Sequence, residues 1–274
     1  MPNDGGHLLL TNEEKEEFLE KEPQAKSFIH PLISAKEFLN NQKRWCLWLL
    51  DAEPSKINQS TEVKKRVRLV KEKREKSTRE ATKKLAATPG FFGEIRQPQN
   101  SYILVPRHSS ERRKYIPLGF LSPEYIVSDS CLAIDNARLY HFGLLTSLMH
   151  MAWVKTVCGR LESRYRYSNE IVYNNYPWPK APSDKQVAAV EAAAQGVLDA
   201  RAKYPDSSLA DLYDPLTMPP DLVKAHNALD KAVDKCYRGA AFTSETQRLE
   251  YLFGLYSEYT KPLIKPEIKG RKKT

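Results

Sequence analysis

The sequence changes character at Pro179, and that change limits the folds open to it. Between residues 91 and 179, short β-prone pieces ("NSYILVPR", "RKYIPLGFL", "EYIVSDSCLAI", "NEIVYNNYPWP") are separated by Pro, Gly, Asn and Ser, the pattern of strands and edge turns. One helix is expected to interrupt them, His141 to Val157, with Phe142, Leu145, Leu148, Met149 and Trp153 as a core-facing stripe. Past Pro179 the periodicity is helical. Ser183-x-x-Gln186 and Ser244-x-x-Gln247 have the form of capping boxes, in which a hydroxyl and an amide side chain satisfy orphan backbone N–H groups. Pro219-Pro220 opens a helix with Leu222, Leu229, Val233 and Cys236 on one face and Gly239 to end it. A last helix groups Leu249, Leu252, Phe253 and Tyr256. The expected fold class is α+β. A mixed or antiparallel sheet domain with inserted helices spans 1–179, and a small all-α helical domain spans 180–274, ending in a disordered basic tail.

The N-terminal stretch fits the same class. Thr11-x-x-Glu14 is a capping box for a short helix ending near Glu22-Pro23, "AKEFLNNQ" is a second helical piece, and "RWCLWLLDA" reads as a buried strand. Residues 62–84 form a basic helical connector with eleven basic and four acidic residues. It serves either as a solvated face or as a helix along a phosphate backbone.

Bulk composition agrees with a folded, basic protein. At 41% hydrophobic and 10% aromatic residues the chain can bury a core, and a net charge of +9 favours a polyanionic partner. The four cysteines, Cys46, Cys131, Cys158 and Cys236, lie far apart, which argues for buried reduced thiols rather than zinc or disulfides. The N-terminus lacks a basic-then-apolar leader, and no apolar run approaches the ~20 residues of a membrane span. The expected location is the cytoplasm of a bacterium or archaeon, with no membrane partner.

Visible catalytic equipment is missing. There is no glycine-rich strand-to-helix turn for a nucleotide or S-adenosylmethionine, and "MPPD" and "YPWP" have the wrong order for a base-holding methyltransferase loop. Glu267-Ile-Lys269 has a nuclease-like form but stands without acidic partners, and His150 reads as a satisfied core histidine. Binding is the better reading. "VPRHSSERRKYIP" offers Arg107, Ser109, Ser110, Arg112, Arg113 and Lys114 at a strand–loop junction, donors suited to phosphate oxygens, and Arg160 joins that set. The internal alternative is an exposed loop salt-bridged within its own domain. In "GRLESRYRYS", an extended segment puts Glu162, Arg164 and Arg166 on one face and Ser163, Tyr165 and Tyr167 on the other. Arginine bonds guanine and a carboxylate accepts from cytosine, so this pair suits one C·G base pair. An internal Glu–Arg ion pair fits the spacing equally well.

The strings "MPNDGGHLLLT", "AKEFLNNQKRWCLWL", "VPRHSSERRKYIP", "SLMHMAWVKTVCGRLESRYRYS", "IVYNNYPWP" and "LYDPLTMPPDLVKAH" together resemble the C-terminal part of MmeI-like proteins. These are type II restriction-modification enzymes that fuse an endonuclease, an adenine-specific DNA methyltransferase and a target recognition domain. The resemblance implies a target recognition domain over 1–179 and a helical C-terminal domain beyond it, with the methyltransferase core upstream and outside this chain. It also implies that Glu162 and Arg164 form a specificity pair, that Arg166 is a neighbouring contact, and that Ser130 in "SDSCLAI" is an upstream one. A slip of one residue would move that last role to Asp129 or Cys131. Related phage-defence methyltransferases share the reading domain, so a nuclease need not accompany it.

The leading expectation is a reader of double-stranded DNA whose parent uses S-adenosylmethionine and, if it cleaves, magnesium. No cofactor is expected in this chain, and its protein partner is the methyltransferase core. The competing expectations are a protein-interaction module docking on that core and a cryptic DNA-processing enzyme.

Overall fold

The structure is a computed structural model and describes residues 2–261. The chain folds as two compact units that alternate along the sequence. One comprises Met1–His108, Pro117–Ala137 and Asp206–Tyr213, and the other Ser109–Ile116, Arg138–Pro205 and the chain from Asp214 onward.

In the first unit, strand Trp45–Leu47 pairs antiparallel with Leu9–Leu10 on one side and Ile29–Ile33 on the other, and Ile29–Ile33 pairs parallel with Ile126–Val127. Leu8, Leu10, Phe28, Leu32, Cys46 and Leu47 bury their side chains here. Helix Asn12–Lys21 begins with the expected capping box: Thr11 Oγ1 accepts from the Glu14 N–H, and the Glu14 carboxylate from the Thr11 N–H. A second sheet places Tyr102–Pro106 between Gly119–Leu121 and Cys131–Asp135, all antiparallel. As its central strand, Tyr102–Pro106 is buried throughout, which explains its unbroken apolar run.

The basic segment is helical over Thr61–Glu75 and Glu80–Lys84, but not all of its cations face outward. Arg74 is fully buried, and its guanidinium donates to the carbonyls of Asn3, Leu85, Thr88 and Phe91. Arg66 donates to the carbonyls of His7 and Leu9. These two arginines close backbone acceptors that would otherwise be orphaned, and are unavailable to phosphate. Both had counted towards the phosphate-facing reading of the segment.

The second unit is mainly helical. Asp184–Ala202, capped by Ser183 and Gln186, packs beside Pro220–Tyr237. The expected single helix His141–Val157 is two helices, Leu139–Leu145 and Leu148–Val157. The break falls at Thr146-Ser147, where Ser147 Oγ donates to the Leu144 carbonyl and accepts from the His150 N–H, a local alternative to the helical ladder. Leu139–Leu145 nests against Asp184–Ala202. A Cβ on Gly143 would come within 2.7 Å of Val190 Cγ1, so glycine sets that close approach. The last helix, Glu245–Thr260, packs on Leu148–Val157 through Trp153, Phe253 and Tyr256, so the helical core draws on the middle of the chain as well as its end.

Three local expectations are corrected. "NEIVYNNYPWP" is no strand but a π-helical turn, Asn169–Tyr173, capped by Ser168 and fixed where Trp153 Nε1 donates to the Val172 carbonyl. "RKYIPLGFL" contributes only Gly119–Leu121 to a sheet, and Pro117 supplies no N–H for a longer ladder. Ser244 accepts from the Gln247 N–H, but Gln247 turns its own oxygen to Thr243 N–H and Arg238, leaving half a capping box. All four cysteines are free and buried. No helix among the described residues is long and apolar enough to cross a membrane. The Glu267–Lys269 motif and the basic tail lie outside the described residues.

Candidate nucleic-acid interface

"GRLESRYRYS" folds as a hairpin, not as one extended strand. Gly159–Leu161 pairs with Arg164–Arg166 in the register Leu161↔Arg164, Arg160↔Tyr165 and Gly159↔Arg166, with Glu162-Ser163 as the two-residue turn. Side chains directly opposite across a hairpin share a face. One face therefore carries Leu161, Arg164 and Arg166 beside bare Gly159, and the other carries Arg160 and Tyr165. Glu162 sits in the turn, off the strand face where alternation had put it, yet it rejoins Arg164: Arg164 Nη2 lies 2.7 Å from Glu162 Oε2. At 49% and 76% exposure this pair is worth at most about 1 kcal/mol. Glu162 takes a left-handed φ of 55°, a conformation costing a non-glycine residue roughly 1–3 kcal/mol. The Arg166 guanidinium is exposed and has no partner among the described residues.

The reverse face anchors the hairpin. Arg160 lies over the Tyr165 ring, 4.1 Å to its centroid, and donates to the carbonyls of Ser163 at 3.0 Å and Lys155 at 3.4 Å. Tyr165 and Tyr167 are buried. Tyr167 Oη is 3.0 Å from His150 Nε2, and His150 Nδ1 is 2.8 Å from the Leu145 carbonyl. Burial pulls the His150 pKa down to about 4, so the ring is neutral. The network assigns Nδ1–H as donor to the carbonyl and Nε2 as acceptor from the tyrosine. His150 is the satisfied core histidine expected.

The loop with the cationic candidates belongs to the same unit. Ser109, at the end of a short strand, borders Arg164–Arg166 in their small sheet; its buried Oγ has no hydrogen-bond partner among the described residues. Ser110 Oγ accepts from the Arg112 N–H. Arg112 and Lys114 are exposed, the latter with Nζ 5.3 Å from the Tyr115 ring centroid. Arg113 is half-buried, and burial lowers its pKa while Asp214 opposes that shift. Tyr115 then ties the loop down, its hydroxyl donating to Asp230 Oδ2 at 2.7 Å, while Asp230 Oδ1 accepts the Leu148 N–H at 2.7 Å. Burial pushes the Asp230 carboxyl up to about 6. One buried acid thus braces both the loop and the start of the helix that leads into the hairpin. No sequence signal marked Asp230, because its role rests on contacts across more than eighty residues of chain.

Arg107 and Ser130 belong to the first unit. The Arg107 N–H donates to the Ser130 carbonyl at 2.9 Å, and its buried Nε has no partner among the described residues. The Ser130 hydroxyl is engaged by the scaffold, accepting the Ala35 N–H at 3.0 Å and bonding Ser128 Oγ at 2.8 Å. Beside it Asp129 is exposed, whereas Cys131 is buried, a site that pushes its thiol up to about 12. No cluster of three His, Cys, Asp or Glu suited to a metal occurs among the described residues. The residues present do not fit S-adenosylmethionine either. The parallel pairing of Leu32-Ile33 with Ile126-Val127 is followed by "SAKEFL" and "SDSCL", not by a glycine-rich phosphate-type turn.

Two family models divide the chain between them: "MmeI, target recognition domain" matches residues 1–180, and "MmeI, C-terminal domain" matches residues 181–264. The chain belongs to the MmeI family. DNA methyltransferase A of Bacillus subtilis (strain 168) is 42% identical over 260 residues, which are 95% of this chain and 29% of that protein. A solved structure of the type IIL restriction-modification enzyme MmeI in complex with DNA superposes with a TM-score of 0.92 at 45% identity, covering 94% of this chain and 34% of that one. This MmeI-family chain therefore spans about a third of the length of these relatives.

Proposed function

We propose that this chain is a DNA target recognition module that binds duplex DNA and positions a catalytic core located elsewhere in its parent protein. The observation that carries the reading is the hairpin front. Glu162, Arg164 and Arg166 stand exposed on a buried foundation, in a chain similar over 94% of its length to MmeI solved with DNA. Arg164 and Arg166 bond base edges in the major groove, and Glu162 accepts from a cytosine amino group. Arg112, Lys114 and Arg113, with the Ser110 hydroxyl, hold phosphates, whereas the Ser109 hydroxyl, expected among them, is buried out of reach of a phosphate. Arg160 supports the hairpin from behind.

In the first unit, Arg107 and the outward cations of helix Thr61–Glu75 (Lys64, Lys65, Arg68, Lys71, Lys73) engage phosphate. The loop around Ser130 is a second reading element. Asp129 is exposed beside Ser130. Recognition resides in residues 1–179, and residues 180–261 contribute to the helical domain. The parent is a cytoplasmic adenine methyltransferase of a restriction-modification or phage-defence system. Its core, outside this chain, supplies the S-adenosylmethionine and any magnesium site.

Binding to duplexes that vary one base pair at a time tests this. Arg164→Ala is expected to cost about 1–3 kcal/mol at one position, while Arg112→Ala weakens all sequences alike. Reversing both charges of the Glu162–Arg164 pair shifts the preferred base pair. Equal losses at every position for Arg164→Ala remove it from the reading set.

A further inference from the structure

We propose that Leu161 is a further specificity-determining residue, which contacts the C5-methyl group of a thymine in or next to the base pair read by Arg164. The inference rests on the proposed DNA-reading role and deepens it. Leu161 is 43% exposed on a hairpin whose neighbouring positions are Arg160, Glu162 and Arg164, so it serves no apolar core. The register sets it directly opposite Arg164 on the outward face. Opposed Cβ atoms lie about 4.5–5.5 Å apart in such a pair. Successive base pairs rise about 3.4 Å, so a group beside Arg164 meets the same pair or the adjacent one. The major-groove edge offers a single apolar feature, the thymine methyl, and a branched aliphatic side chain is its complement.

The rest of that face is cleared for approach. Gly159 stands opposite Arg166 with no positive φ, and a Cβ built there would meet only the Arg166 carbonyl oxygen, at 3.9 Å. Neither backbone conformation nor packing asks for glycine there. A strand glycine often marks a bulge, a tight bend or a place where another molecule comes close to the backbone, and the last is the one that fits an exposed hairpin face.

The test uses this chain and a randomised duplex pool to select a preferred sequence, then replaces each thymine in turn with deoxyuracil. With the unmodified chain, one thymine, in or next to the pair whose preference Arg164→Ala relaxes, is expected to lose roughly fourfold in Kd on losing its methyl, the worth of one buried methyl group. Leu161→Ala should weaken the thymine duplex by a similar factor and be indifferent to uracil. Leu161→Met, which keeps an apolar tip, should retain the sensitivity. The exposed site leaves the melting temperature unchanged in both variants. Equal uracil penalties in the unmodified chain and Leu161→Ala, or no sensitive thymine, overturn the inference while the Arg164 result stands. An Arg164→Ala chain that relaxes no position, or a pool yielding no preferred sequence, overturns the DNA-reading role along with it.

Discussion

Gly159→Ala separates the needs of the fold from those of the ligand. The substitution puts a methyl group 3.9 Å from its nearest non-neighbouring heavy atom, ordinary van der Waals contact, at a residue outside the left-handed region. Alanine therefore restricts the unfolded chain without straining the folded one, a stabilisation of about 0.4–1 kcal/mol. In a domain of this size that corresponds to a rise of roughly 1–4 °C in melting temperature. The same methyl group stands beside Arg166 on the face assigned to the duplex. Overfilling a closely packed contact costs about 1–3 kcal/mol, which is roughly a 5- to 150-fold loss of affinity. Differential scanning fluorimetry and fluorescence anisotropy with a labelled duplex read the two effects on one sample. Stability and binding should move in opposite directions. If Gly159→Ala binds DNA as the unmodified chain does, that face is not the one in contact and the reasoning fails; a fall in melting temperature would show that the fold itself needs the glycine.

Arg112→Ala should reduce the slope of log affinity against log salt by about 0.9 for the lost phosphate contact, whereas Arg160→Met, which keeps the stack on Tyr165, should leave the slope unchanged; titrations at four salt concentrations distinguish them. Arg74→Met removes the donor to four part-buried carbonyls and should destabilise the chain by about 3 kcal/mol, measured by urea unfolding. His150, depressed to about 4 by burial, makes the native state bind fewer protons than the unfolded one below the unfolded pKa of about 6.5. Its contribution is present above that pH and is lost as pH falls towards 4. His150→Gln should therefore lose roughly 2–3 kcal/mol less than the parent chain between pH 7 and 4.5. Asp230, raised by burial, acts in the opposite direction and is common to both chains, so the difference between the two isolates His150.

Local chemistry was legible where it depends on nearest neighbours. Thr11 with Glu14 and Ser183 with Gln186 announce their helices because the bonds they form close within one turn. Alternation was less reliable. It placed Glu162 in line with Arg164 and Arg166, and the turn at Glu162-Ser163 undid that phase while bringing carboxylate and guanidinium together by another route. Composition offered a solvated face or a phosphate-facing helix over 62–84, and neither foresaw that helical periodicity carries Arg74 inward with Val63 and Val70, where distant carbonyls required a donor. Asp230 and the Tyr167–His150 link were beyond reach for the same reason, since their partners meet only after the chain has folded.

The division of the hairpin into a fastened back and an open front has an evolutionary consequence. Tyr165, Tyr167 and Arg160 hold the backbone, so exchanges at 161, 162, 164 and 166 cost the framework little. On the proposed reading role, a lineage could rewrite its recognised word one or two letters at a time without first accumulating spare stability.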